Sequence, residues 1–352
     1  MKNTKKSTGY FLVTIFCLAI LTFCSLKTQA QTIVSTTPEN KNAILEEFTG
    51  IYCVFCPDGH LIANNLKYAY PNDLFLLNLH TGGYAIPNNP NDPDFTIPEN
   101  DSIADLSGLL GYPAGTVNRY QFPMTQGGGT AMSRGDWADA VQDIISQPSY
   151  LNVGILAEHD TLNDYINITA EVYYTDSLPI DGFGFQSVNY LNIVLTQDSV
   201  LGPQTGGSQY NPGAIVNGPW QPTYSHQHMV REYITGQWGV QLNSMNTLVY
   251  PGDLFTNTFT YYIPNNINDI IFDINNIKVT AYVTENPFGE IVTGTGCNIT
   301  LPAPPPVSVV DVLSKSNTYN KIYDMLGREW KVQFGDLPKG MYIVNNKLKL
   351  KI

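Results

Sequence analysis

The chain has 352 residues, enough for two or three domains with cores of their own, and a formal net charge of −12. The charge is uneven: residues 31–306 carry 26 acidic and 6 basic side chains, and residues 307–352 carry 4 and 8. So acidic a body repels phosphate backbones, which argues against nucleic-acid binding and fits a solubilised extracellular surface.

Residues 1–30 read as a secretory signal peptide. Lys2, Lys5 and Lys6 precede an uncharged apolar run from Tyr10 to Leu26, and Ala30 supplies a small residue at the cut. Cys24, three residues after Leu21, is a candidate for lipid attachment, with bulky Phe23 before it. No later stretch is apolar and long enough to span a bilayer as a helix. Removal of the leader leaves Cys53, Cys56 and Cys297, too few for a disulfide scaffold. A single C-x-x-C also excludes a two-pair zinc site.

Residues 31–148 mix helix and strand. Ala43–Phe48 is predicted to be a first strand, residues 57–70 a helix at a 3.6 period, and Leu74–Leu79 a strand covered on both faces. Cys53-Val54-Phe55-Cys56 lies between the first strand and the helix. A thiol at a helix N-terminus meets unpaired N–H groups and the positive dipole end, which favour the thiolate. This strand–helix–strand order with C-x-x-C is a thioredoxin-like opening. A Pro/Asn/Asp-rich insert, residues 81–100, is expected on the surface. Helices are expected over residues 102–110 and from Ser133 to Pro148, with Trp137, Val141, Ile144 and Ile145 on one face.

From residue 149 to 300 the period changes to two. Residues 151–155, 166–170, 172–174, 191–195, 255–261 and 277–283 alternate in apolar character, which predicts an all-β sandwich domain. Residues 202–220 read as a long loop. A Pro-rich linker, residues 301–306, leads to a small basic β module over residues 307–352, ending Lys347-Leu348-Lys349-Leu350-Lys351-Ile352.

Two segments carry family resemblances. Glu46 through Pro57, with Gly111-Tyr112-Pro113, Asn118-Arg119 and the run Tyr224 to Arg231, resembles the outer-membrane-protein family named for its twenty-eight-kilodalton member. That resemblance implies a thioredoxin-like first domain, a β-rich second part, and an outer-membrane or cell-surface location. It also implies that Pro113 is a cis-proline facing the C-x-x-C. The end of the chain, with Ile322-Tyr323-Asp324, Gly327-Arg328 and Leu337 to Val344, resembles the sorting domain of type IX secretion cargo, without the usual Asn-Pro near its start. It implies that the type IX secretion machinery is a partner.

Cys53 is expected to sit exposed at the helix start as nucleophile and Cys56 one turn inward as resolver, with extracytoplasmic protein thiols or disulfides as partners. The opposing reading is a permanent disulfide in a non-catalytic binding or structural surface protein. Glu46, Glu47 and Asp58 nearby disfavour a thiolate. His226 and His228, two apart, would share a strand face, but no third ligand of suitable spacing is evident, so no metal is assigned. The acidic loop residues Asp92, Asp94, Glu99 and Asp101 match no calcium motif. No cofactor signature is present.

Overall fold

The computed structural model describes residues 32–125, 127–180, 186–244, 248–301, 322–325, 327–330, 334–345 and 347–351. The expected signal peptide, with Cys24, lies outside them, as do linker residues 302–306 and residues 307–321. The chain is mostly β and forms two compact units that divide between Pro302 and Ala303.

The first unit begins with β1 (Ala43–Thr49), α1 (Cys56–Ala69) and β2 (Leu74–His80), and β1 and β2 pair in parallel. All seven residues of β1 are buried, as suits a central strand covered on both faces. α2 (Pro98–Leu106) follows. It starts earlier than the pattern predicts because Pro98 is preorganised for a first turn and Glu99 and Asp101 favour the positive helix end. It stops at Gly108, which adopts φ +67°. β3 (Ala114–Val117) pairs antiparallel with β1, and β4 (Met132–Ser133) with β3. α3 (Trp137–Ile145) buries Trp137, Ala140, Val141 and Ile144 against Leu45, Val117 and Met132. The order β2-β1-β3-β4, with these directions, is the arrangement that a thioredoxin-like opening implies.

The sheet does not end there. β11 (Met229–Tyr233) joins β2, and β7 (Tyr190–Gln197), β16 (Ile277–Thr284) and β17 (Ile291–Asn298) continue it. With β12 (Val240–Gln241) on β7 it has nine strands. A second sheet of β5 (Leu151–Asp160), β6 (Tyr165–Tyr174) and β13 (Leu254–Tyr262) packs on it. Ile166, Ile168, Ala170 and Val172 meet Ile193, Leu195, Val279 and Ala281 in that interface. The alternation therefore builds a sandwich, but one of its layers is the sheet that starts at β1. The boundary expected between residues 148 and 149 falls inside a continuous sheet.

A polar clamp ties the two parts. Glu46 on β1 is fully buried and accepts two bonds from Arg119, at 2.8 Å from Nε and 2.6 Å from Nη2. Arg119 also donates to the Tyr282 hydroxyl of β16 at 3.1 Å. Beside it Asn118 bonds backbone groups of Ile44, Asn42 and Ile291, so the β17 edge is held against β1. Asn118 and Arg119 both have φ near +50°, an uncommon conformation for side-chain-bearing residues that these bonds hold in place.

The second unit is a four-stranded antiparallel sheet, in the order β19 (Glu329–Trp330), β18 (Ile322–Asp324), β20 (Gly340–Val344), β21 (Lys347–Lys351). Ile322, Leu337, Tyr342 and Val344 form its core. Asp324 accepts from Arg328 N and Nε, which closes the Gly327 turn read from the sequence.

Arg119→Met leaves Glu46 buried without a counter-charge and is expected to cost about 3–5 kcal/mol. Arg134→Met, which breaks the half-exposed pair with Asp58, is expected to cost about 1 kcal/mol or less. Urea unfolding of the two variants beside the parent measures the contrast.

Candidate redox site

Cys53 and Cys56 form a disulfide with their Cα atoms 5.4 Å apart. Helix α1 begins at Cys56, with Phe55 as its N-cap and Pro57 in its first turn. Cys53 therefore lies in the turn before the helix, where its N–H donates to Gly50 O at 3.0 Å. The Tyr112–Pro113 bond is cis, and Pro113 packs beside Gly59 in the first turns of α1. A Cβ on Gly59 would sit 2.7 Å from Glu47 Oε1 and 3.2 Å from Pro113 Cβ. Only glycine lets β1, α1 and the Pro113 loop approach this closely. The structure thus places Cys53, Cys56 and Pro113 around one helix end.

The expected exposure of Cys53 is not found: Cys53 is 3% exposed and Cys56 0%. Part of the cover comes from residues 204–210, in the stretch read as a free loop. β8 (Val200–Pro203) leads into it, and a short helix α4 (Gly207–Tyr210) ends it. Gln204 Nε2 donates to Cys53 O at 3.0 Å and to Gly50 O at 3.2 Å. Thr205 N donates to Ile51 O at 2.8 Å. Gly206 sits at φ +77° where a Cβ would collide with the Val54 carbonyl, and the rings of Tyr210 and Phe55 lie 5.2 Å apart. Val54 and Phe55 stay on the surface. Sequence reading missed this cover because its contacts are one glutamine amide on two backbone carbonyls, a backbone bond, a ring pair and close glycine packing, which leave no periodic signature.

The three carboxylates near the motif behave differently from one another. Glu46 is neutralised by Arg119, and Asp58 by Arg134 Nε at 2.5 Å. Glu47 points to the other face of β1, is fully buried, and has no hydrogen-bond partner among the described residues. Burial raises its pKa well above the ordinary carboxylate value, so its neutral form is favoured. Two of the three acids are thus paired with arginines and burial favours the neutral form of the third, so the three do not act alike on a thiolate.

Three buried histidines, His60 on α1, His80 at the end of β2 and His226 on β10 (Thr223–His226), join the cover to the core. His60 lies 2.8 Å from Thr49 Oγ1 and 3.0 Å from the Tyr224 hydroxyl. Asn211 Nδ2 donates to that hydroxyl at 2.8 Å, which leaves the Tyr224 proton for His60 Nδ1 and the His60 Nε2–H for Thr49. His226 stacks edge-on against His80 and Phe95, with centroids 5.3 and 5.0 Å apart. Burial lowers the pKa of His60 to about 3 and of His226 to about 4, and lowers that of His80 as well. His228 does not share this environment. It turns at φ +54° and lies 3.4 Å from Asp198 and 3.2 Å from Asn64. Among the described residues no group of three or more His, Cys, Asp or Glu is placed to hold a metal ion. Of the loop acids, Asp92 accepts from the Tyr52 hydroxyl, Asp94 from Thr96, and Asp101 from Gly82 N and the Thr81 hydroxyl. Cys297 on β17 is a half-buried free thiol.

No family model and no curated protein matches the chain. Solved structures do. HBP35 of Porphyromonas gingivalis is 17% identical over 90% of this chain and 98% of that one, with a TM-score of 0.50, a likeness of fold. A domain of the outer membrane lipoprotein Omp28 from the same organism is 13% identical over 44% of this chain and 92% of that one, with a TM-score of 0.28. An Agrobacterium tumefaciens protein is 11% identical over 73% of this chain and 94% of that one, at 0.40.

Two pH effects of opposite sign follow. Below the ordinary histidine pKa the unfolded chain takes up protons that His60, His80, His226 and His228 refuse in the fold, so stability falls as pH drops from about 6.5 toward 4. Urea midpoints at several pH values should show this slope, and His226→Phe should flatten it. Glu47 holds a proton in the fold that the unfolded chain releases, so it lowers stability as pH rises above its unfolded value. Glu47→Gln is therefore expected to raise the midpoint at pH 8.

Proposed function

We propose that this is an exported outer-membrane or cell-surface protein that exchanges thiols and disulfides with extracytoplasmic proteins at Cys53–Cys56. The observation that carries the reading is the disulfide at the start of α1, with cis Pro113 and the buried acid Glu47 close to Gly59 in the helix that follows. Perturbed acids in such places are more often functional than chance would have them. The extracytoplasmic location is supported by the leader-like N-terminus and the retained disulfide. The likeness to HBP35 is one of fold and covers 90% of this chain. The type IX machinery is proposed as the export partner on the C-terminal motif alone.

The chemistry runs from the oxidised form. A thiolate of a partner dithiol attacks Cys53 Sγ, and the Cys53–Cys56 bond breaks. Cys56 Sγ departs with the electron pair and takes the proton that Glu47 holds. The partner's second thiol gives up its proton, which restores the protonated form of Glu47, and attacks the partner sulfur of the mixed disulfide. The partner leaves as a disulfide, and Cys53 departs as a thiolate that the helix end stabilises. Two electrons pass from the partner to the protein.

A second reading keeps the disulfide as a permanent staple in a non-catalytic surface protein. The near-complete burial of both cysteines favours it. The two readings part in one experiment. Under the first, the parent oxidises a reduced peptide dithiol with turnover in a glutathione buffer, Cys53→Ser and Cys56→Ser abolish it, and Glu47→Gln slows it by roughly 10²-fold or more. The absence of turnover in the parent, with a reduction potential below about −300 mV, establishes the staple. Gln204→Ala, which removes the bonds to Cys53 O and Gly50 O, is expected to speed reduction of the disulfide by a phosphine severalfold.

A further inference from the structure

We propose that a groove at the far end of α1 binds a small organic oxyanion, a phosphoryl or carboxylate group, through Lys67 and Lys278. The groove has a volume of about 430 Å³ and lies between the C-terminal turn of α1, β2 and the strands β16 and β17. Lys67 is about 16 Å along the helix from Cys56 at 1.5 Å per residue, so this is a separate site from the disulfide.

The placement of charge carries the inference. Residues 31–306 hold only three lysines and three arginines among 26 acids. Arg119 and Arg134 face carboxylates, and Arg231 is bound by Gln197 and two backbone carbonyls. Lys41 meets Gln147. The two remaining lysines converge on one cavity, although acids are available across the rest of the surface. Lys67 donates to Pro71 O at 2.8 Å and Leu74 O at 2.5 Å, and its ammonium sits 4.4 Å above the Phe75 ring. Among the described residues no carboxylate lies within ion-pair distance of it. Burial and the nearby Lys278 lower its pKa to about 8, against the opposing pull of Asp73.

Lys278 is half-exposed and pairs with Asp198 at 2.6 Å, and Asp198 also faces His228. His228 is neutral, since its pKa is lowered to about 4, and although Asp198 and Asp73 offset the two ammonium charges, neither lines the groove, whose lining holds both lysines and no carboxylate. Hydroxyls of Thr280 and Thr295 and the amides of Asn72 and Asn298 line the same cavity and supply further donors to an oxyanion. Phe75, Leu76 and Val279 add an apolar lining suited to an organic substituent. Helix C-terminal bonding explains why Lys67 meets two carbonyls, but it does not explain why Lys278 is turned into the same space.

Lysine acylation of the full chain, read by mass spectrometry at each site, tests the proposal with inorganic phosphate, phenyl phosphate and benzoate at ionic strength held constant with chloride. Labelling of Lys67 and Lys278 is expected to fall severalfold while Lys41 is unchanged. Protection by the phosphates identifies a phosphoryl ligand, and protection by benzoate alone a carboxylate. Lys278→Met is expected to weaken the protection of Lys67 about tenfold. Because Lys67→Met also removes bonds to Pro71 and Leu74, Lys278→Met is the deciding variant. Unchanged labelling with all three anions, an equal change at all three lysines, or full protection of Lys67 in Lys278→Met overturns the proposal.

Discussion

A carboxylate without a partner cannot stay charged inside a sheet, and Glu46 sits in the middle of the central strand. Arg119 answers it with two bonds and carries a third to Tyr282, so one guanidinium spans from β1 to β16. Asn118 next to it satisfies backbone groups of the first strand and of the last. The curl of the nine-stranded sheet, and with it the packing of the second layer, rests on this corner. A local ion pair here serves to join distant segments rather than to decorate a surface.

The same strand sorts the chemistry. Successive residues of a strand face opposite sides, so Glu46 enters the clamp and Glu47 enters the helix layer beside Gly59 and His60 of α1. One is paired with Arg119; the other accepts no hydrogen bond among the described residues, has His60 Nε2 at 3.9 Å, and is pushed by burial toward its neutral form. Gly59 lets that acid and Pro113 come close to the first turns of α1. The insert of residues 204–226 covers the site from outside, and His60, His80 and His226 pack where it meets the core. The sulfurs are thus covered in part by a segment about 150 residues away in sequence, held by hydrogen bonds and ring contacts.

Much of this was legible in the chain. The C-x-x-C between an apolar run and a 3.6-period segment located the disulfide and its helix, and the change to period two at residue 149 announced the sandwich. The short strand β11 and the Gly-rich β17 escaped notice. β11 is five residues with Arg231 and Glu232 in it, and β17 carries Gly294 and Gly296, which close approach to Tyr282, Ile44 and Phe75 requires. The acids beside the motif were visible as letters, but their effect was misjudged because the sign of each depends on who faces it.

By itself the sequence determined the elements whose cause is local: periodicity, turn chemistry, the spacing of two sulfurs, and an uneven, largely acidic charge distribution. Tertiary structure decided whatever depends on meeting across the chain. It merged two expected domains into one sheet, buried a thiol pair expected at the surface, paired Glu46 while burying Glu47, and brought Lys67 and Lys278 to one groove. Hydrogen bonds and Coulomb forces act over a few ångströms of space, and sequence order sets that distance only for near neighbours.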